Sequence, residues 1–202
     1  EGTLFGRMHA LAAICRPAVD ALVEQYRAAP VKHADETVWR EDGANGYAWG
    51  FFTHDTSVFR LRGTRSGEVP REVLGAGRSG EETLLVDRYG GHNRFGGDIQ
   101  YCYAQLKRDT EDIVKENPQS AECKRFADAF VPLLCKAMRL RKEPISDAEY
   151  YIAAAALEQQ IRACAAGPGR HPSVQHIQNI FREQEHRLFH WARDRAIPAE
   201  NN

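Results

Sequence analysis

Two aspartates stand out by where they fall. Asp35 lies inside His33-Ala34-Asp35-Glu36-Thr37, within a stretch rich in aromatic and β-branched residues. Asp87 closes the apolar run Leu84-Leu85-Val86. A carboxylate at the end of a buried strand is costly to desolvate unless it has a partner or a cation. Open α/β sheets gather their ligands at the carboxyl ends of their strands. If these two strands are parallel neighbours, the carboxylates converge. A converging pair suits a hard divalent cation such as Mg²⁺ or Mn²⁺. The alternative is an ordinary capping or turn aspartate at each place.

Other chemistry-bearing residues read more plainly. Glu36 adjoins Asp35, but neighbours along a strand point to opposite faces, so Glu36 reads as a structural acid. His33 shares a face with Asp35 and reads as a partly buried structural histidine. His186 and His190 are four apart, a spacing that can hold a metal on a helix. Arg187 stands where the H-E-x-x-H pattern needs a glutamate, so a helix-surface or packing role is expected. No covalent nucleophile stands out. Cys15, Cys123, Cys135 and Cys164 fall on expected helices and suit apolar packing. Between residues 57 and 80, five arginines face Glu68 and Glu72, a local balance of +3. Lys136, Arg139, Arg141 and Lys142 form a second basic cluster. Either cluster could meet phosphates or be a solvated surface. Tyr89, Trp39 and Trp49 could stack on bases, with core packing the alternative for the tryptophans.

The elements that must position these residues follow from periodicity. Residues 4–28 carry apolar side chains at three- and four-residue steps, as a helix does, and Pro17 predicts a kink or break. Residues 31–40, 47–53 and 57–61 are rich in aromatic and β-branched residues, as strands are, and are separated by Asp42-Gly43, Asn45-Gly46 and His54-Asp55-Thr56; two hairpins are the simplest account. A short helix over 66–75, capped by Ser66, follows. Residues 83–86 read as a buried strand, 89–97 as a glycine-rich loop, 99–102 as a further strand and 104–116 as an amphipathic helix. Residues 121–140, 147–165 and 174–193 read as helices, with Pro132 expected to kink or divide the first. This order predicts an α/β sheet flanked by helices.

Composition bounds the rest. The chain has 202 residues, 43% hydrophobic and 27% charged, with 27 basic against 28 acidic residues and a net charge of −1. It is neither disordered nor globally basic, and no stretch is apolar enough to span a bilayer. An odd set of five scattered cysteines, Cys102 included, argues against a zinc ribbon or a disulfide scaffold and for a reducing cytoplasm. The first residue is Glu rather than Met, as expected for a piece of something longer.

A family pattern runs through the chain in order. It takes in His33-Ala34-Asp35-Glu36-Thr37, Trp39, Gly43 and Tyr47-Ala48-Trp49, then Arg65-Ser66 and Leu85-Val86-Asp87-Arg88-Tyr89 with Asn93. Cys102-Tyr103-Ala104-Gln105-Leu106, Lys107-Arg108-Asp109 and Ile197-Pro198-Ala199-Glu200-Asn201-Asn202 complete it. The set resembles the catalytic domain of insertion-sequence-66-type transposases. The resemblance implies a ribonuclease-H-like α/β core with a D-D-E site that cuts and joins DNA using Mg²⁺ or Mn²⁺. Asp35 would be the first acid and Asp87 the second, both holding metal. It also implies DNA as partner, contacted by Arg65, Arg88, Lys107 and Arg108, a homo-oligomer on DNA, no membrane, and a bacterial, nucleoid-associated location. The expected layout is a helical segment over 1–30, a core over 31–118, an all-helical insertion over 119–195, and residues 196–202 leading to the last catalytic helix. The third acid is expected beyond Asn202, since Glu200 precedes the Asn201-Asn202 pair, so this stretch is expected to be inactive by itself. Gln105 stands where the family usually has a histidine. The rivals are a metal-dependent nuclease that cuts without joining, and a truncated or domesticated copy that only binds DNA or protein.

Overall fold

In this computed structural model, residues 2–201 are described. The chain is mixed α/β. Helix α1 (Gly2–Ala28) precedes strands β1 (Val31–Glu41), β2 (Ala44–Phe52) and β3 (Ser57–Arg62). Helix α2 (Glu68–Leu74), strand β4 (Thr83–Val86), a 3-10 turn at Gly90–His92 and strand β5 (Asp98–Tyr101) follow. Then come α3 (Tyr103–Glu116), α4 (Ala121–Leu140), α5 (Asp147–Ala165), α6 (Pro172–Glu183), a 3-10 turn at Glu185–Arg187 and α7 (His190–Arg193). The strands form a five-stranded sheet ordered β3-β2-β1-β4-β5, so β1 and β4 are neighbours. Two compact units divide the chain: Glu1–Leu84 with Tyr89–Gly97, and Leu85–Arg88 with Asp98–Asn202.

In the first unit, β1, β2 and β3 pair antiparallel as two hairpins. Asp42 and Gly43 both have positive φ, 48° and 79°, the backbone of the tight turn whose twist matches flanking strands. The second turn closes through Thr53, whose hydroxyl donates to Asp55 and accepts the Thr56 N–H. Helix α1 runs through Pro17 without dividing into two helices. Its side chains are exposed over that stretch, so water can satisfy the carbonyl that proline leaves without a donor. Its last turns are buried at Val23 and Tyr26, and Arg27 caps the end of α2 by donating to the Glu72 and Val73 carbonyls. Helix α2 starts at Glu68, with Gly67 rather than Ser66 at the cap; Ser66 instead accepts the Glu68 N–H. Pro70 is its third residue, where an N–H would have no helical acceptor anyway.

The second unit is mainly helical. Ser120 caps α4 by accepting the Cys123 N–H, and Ser146 with Glu149 forms a capping box on α5. Helix α4 also continues through its proline, Pro132. Phe130, Phe181 and Phe189 form a chain of ring contacts among these helices. The helix expected over 174–193 breaks at Gln184 into α6, the 3-10 turn and α7. The cause is distant in sequence. The Leu188 carbonyl accepts from Gln100 Nε2, the Tyr103 hydroxyl and Trp191 Nε1, while Gln100 Oε1 accepts the His190 and Trp191 N–H groups. These side chains take over backbone groups that a continuous helix would use for itself.

Candidate functional site

The β1–β2 register sets Glu36 opposite Trp49 and Asp35 opposite Gly50. Strand alternation then decides which carboxylate is buried. Lys32 and Ala34 are fully buried, and the Glu36 side chain on the same face is only 2% exposed. Asp35 faces the other way and is exposed; its Oδ1 accepts the Glu36 N–H at 2.9 Å. Gly50 offers no side chain across from it.

Glu36 lies in a pocket of rings. Its Oε1 accepts from Arg65 Nε at 2.7 Å and from Arg65 Nη2. The Arg65 guanidinium lies over the Tyr89 ring at 4.3 Å, and the Tyr89 hydroxyl donates to the Arg65 carbonyl. The other carboxylate oxygen, Oε2, is 3.6 Å from His92 Nε2. His92 is 1% exposed, with Trp49 and Tyr89 meeting its ring edge-on at 6.1 and 5.7 Å. Among the described residues, Glu36 Oε2 and both ring nitrogens of His92 are buried without a hydrogen bond. Each such group ordinarily costs about 1–3 kcal/mol. Burial pushes the Glu36 carboxyl up, but the His92 imidazole and the Arg65 guanidinium outweigh it and hold the group below the usual carboxylate value.

Asp87 directly follows β4, whose four residues are all buried, and is itself partly exposed. Next to it, Arg88 Nη2 donates to Asp109 Oδ2 at 2.6 Å, while its buried Nη1 makes no hydrogen bond. Lys107 pairs with Glu111 at 2.6 Å, and Arg108 donates to Gln105 Oε1. The four basic residues expected at DNA therefore all hold partners within the chain. Glu200 pairs with Lys142 at 3.0 Å. The segment around it lies against the start of α3: Tyr103 N–H donates to the Ala199 carbonyl, and Asn201 N–H to Cys102 Sγ. Asn202 lies outside the described residues.

Several expectations need correction. His186 and His190 do not share a helix; His190 Nε2 lies 2.8 Å from the His186 carbonyl, and no metal group among the described residues includes either. Burial holds the His190 imidazole below its usual value. Cys15 is exposed on α1 rather than packed. Trp49 is fully buried, but Trp39 is 54% exposed near the hairpin tip, where β1 outruns its cover. Glu36, read as a structural acid, is one of the described side chains able to ligate a metal. His92 sits in a glycine-rich loop, where no periodicity marks an inward-facing side chain. The available signal was the alternation Lys32, Ala34, Glu36, which no apolar pattern marked as the inner face.

The family model described as the Transposase IS66 family matches residues 1–202, the whole chain. The chain belongs to the IS66 transposase family. Neither the curated proteins nor the solved structures contain a match. Membership carries a transposase-related function, with DNA as the implied partner and divalent metal as the family's usual helper. The IS66-family chain meets one requirement of such an ion in its own residues. Glu36 Oε2 and the His92 nitrogens are donors left without protein partners in the interior, and a cation needs such donors. Among the described residues, no helix is long and apolar enough to cross a membrane.

Proposed function

We propose that this chain is the catalytic-core portion of a DNA transposase that cuts and joins DNA strands with divalent metal. The family match over the whole chain carries the reading. It is supported by Asp35 lying on β1 and Asp87 directly following β4, the strand next to β1 in the sheet. We assign Asp35 and Asp87 as the first two acids on a ribonuclease-H-like sheet, and the helices from α4 to α7 as an insertion before the last catalytic helix.

Bound divalent ions would supply an activated water, then an activated DNA 3′-hydroxyl, and would stabilise the leaving oxygen. The chain's own part is orientation. The Glu36 N–H holds Asp35 Oδ1 and so fixes the carboxylate's direction. Arg65 pairs with Glu36 Oε1 and so offsets the charge of the buried carboxylate next to Asp35. Arg65, Arg88, Lys107 and Arg108 are the proposed phosphate contacts; Arg88, Lys107 and Arg108 exchange their internal partners for DNA, while Arg65 keeps Glu36.

The test is Mg²⁺- or Mn²⁺-dependent nicking and strand transfer on DNA carrying the element's own ends. It compares this chain with a version extended past Asn202 along its parent gene. The extended protein is expected to nick and join, and Asp35→Asn or Asp87→Asn to lower the rate by roughly a hundredfold or more. Nicking without joining would favour the nuclease reading. DNA binding with no cleavage in either length would leave a binding module and sink the catalytic one.

A further inference from the structure

The Glu36–His92 pair is built in a way that a hydrogen bond does not explain. Its Oε2–Nε2 separation is 3.6 Å. An N–H···O bond spans about 2.7–3.2 Å. Nothing else among the described residues bonds these atoms, although the His92 side chain is 1% exposed and that of Glu36 2%. Two buried polar groups facing each other at this distance, beside the Trp49 and Tyr89 rings, are placed as two ligands of one ion would be. The distance itself identifies the kind of atom. For zinc-class bonds of ~2.0–2.2 Å, the edge of a ligand tetrahedron is about 3.3–3.6 Å. Adjacent ligands of octahedral Mg²⁺, with bonds of ~2.0–2.1 Å, lie about 2.9 Å apart. Imidazole also suits zinc-class ions better than Mg²⁺.

We propose that Glu36 and His92 are two ligands of a tetrahedral, imidazole-accepting divalent cation of the zinc class. Glu36 binds through Oε2 and His92 through Nε2 as neutral imidazole. The remaining positions fall to water or a further carboxylate, so the ion exchanges rather than being locked in. Arg65 stays on Glu36 Oε1, which leaves Oε2 for the metal. The ion fastens the 3-10 turn at Gly90–His92 to β1, one residue from Asp35. This site is distinct in chemistry from a hard-cation site, and it stands whether or not the chain cuts DNA.

The test uses the whole 202-residue chain and Co²⁺ as probe, because tetrahedral Co²⁺ absorbs strongly in the visible and octahedral Co²⁺ weakly. We expect an intense visible band at about one equivalent, abolished by Zn²⁺ and untouched by millimolar-range Mg²⁺. His92→Ala and Glu36→Gln should each weaken Co²⁺ binding by roughly tenfold or more. His54→Ala, on an exposed turn, should leave it unchanged. His92→Cys supplies another zinc ligand and should keep the ion with a red-shifted charge-transfer band; it guards against loss of binding through misfolding. Absence of an intense band in the unmodified chain, a band indifferent to both Glu36→Gln and His92→Ala, or displacement by Mg²⁺ as readily as by Zn²⁺ would each overturn the proposal.

Discussion

Lys32 is fully buried on the first strand, and its Nζ donates to Glu82 Oε2 and to the Ala29 carbonyl, both at 2.6 Å. Arg78 also donates to Glu82, through Oε1. A buried pair of this kind is weakly stabilising as a whole, but removing one partner strands the other charge. Burial pushes the Glu82 carboxyl up, and Lys32 and Arg78 pull it down by more, so it titrates below its ordinary value of 4.5. A carboxyl whose folded pKa lies below its unfolded one adds stability that is complete above the unfolded value. That stability is lost as pH falls through the folded value. Lys32→Ala is expected to cost about 3–5 kcal/mol near neutral pH in urea unfolding. Lys32→Met with Glu82→Leu should recover most of that loss and flatten the acid side of the stability profile, from about pH 4.5 downward. Equal acid sensitivity in the double variant and the unmodified chain would place the acid-labile carboxylate elsewhere. The same scale explains why the acids were only half legible. Asp35 and Asp87 announce themselves by position in strands. The burial of Glu36 is invisible in Val31-Lys32-His33-Ala34-Asp35, where a lysine occupies an inner position and no apolar alternation marks the faces.

At the scale of elements, local pattern carried most of the fold. The starts and ends of β4, α4 and α5 lie where periodicity and the Ser120 and Ser146 caps put them, because those signals act within a few residues. Neither Pro17 nor Pro132 divides its helix, although each removes one backbone donor. The division of 174–193 was hidden because the group that causes it, Gln100, is about 90 residues away in sequence. Gln100 is fully buried and bonds the Leu188 carbonyl and the N–H groups of His190 and Trp191. Gln100→Leu takes the Gln100 acceptor from the His190 and Trp191 N–H groups, while the Leu188 carbonyl keeps Tyr103 and Trp191, and should destabilise the helical unit by about 2–4 kcal/mol. Amide exchange at His190 and Trp191 should accelerate more than exchange within α4. Uniform acceleration across both would mean that Gln100 contributes only to packing.

Over the whole molecule, the near-zero net charge of −1 leaves DNA contact to local surfaces rather than to the global field. Arg65, Arg88 and Lys107 are held by carboxylates, whereas Lys136 and Arg139 on α4 make no ion pair among the described residues. If α4 meets the phosphate backbone, Lys136→Ala with Arg139→Ala should weaken DNA binding alike for any sequence. It should also reduce the slope of log affinity against log salt by about 2. An unchanged slope would move the contact to other basic residues. The order of the conserved-looking pieces made the family legible from the chain. What could not be read was the pairing of Arg65 with Glu36 and of Arg88 with Asp109, because those partners lie 29 and 21 residues away. One feature of the fold bears on how the protein is made. The boundary between the two compact units passes through β4, and residues 85–88 belong with a body otherwise built from residue 98 onward. During synthesis these four residues leave the ribosome before nearly all of their unit exists, while Tyr89–Gly97, which completes the other unit, follows them. The first unit therefore cannot close until residue 97 has emerged, and Asp87 waits for the rest of the unit to which it belongs. Translation speed just after this point becomes a variable in folding yield.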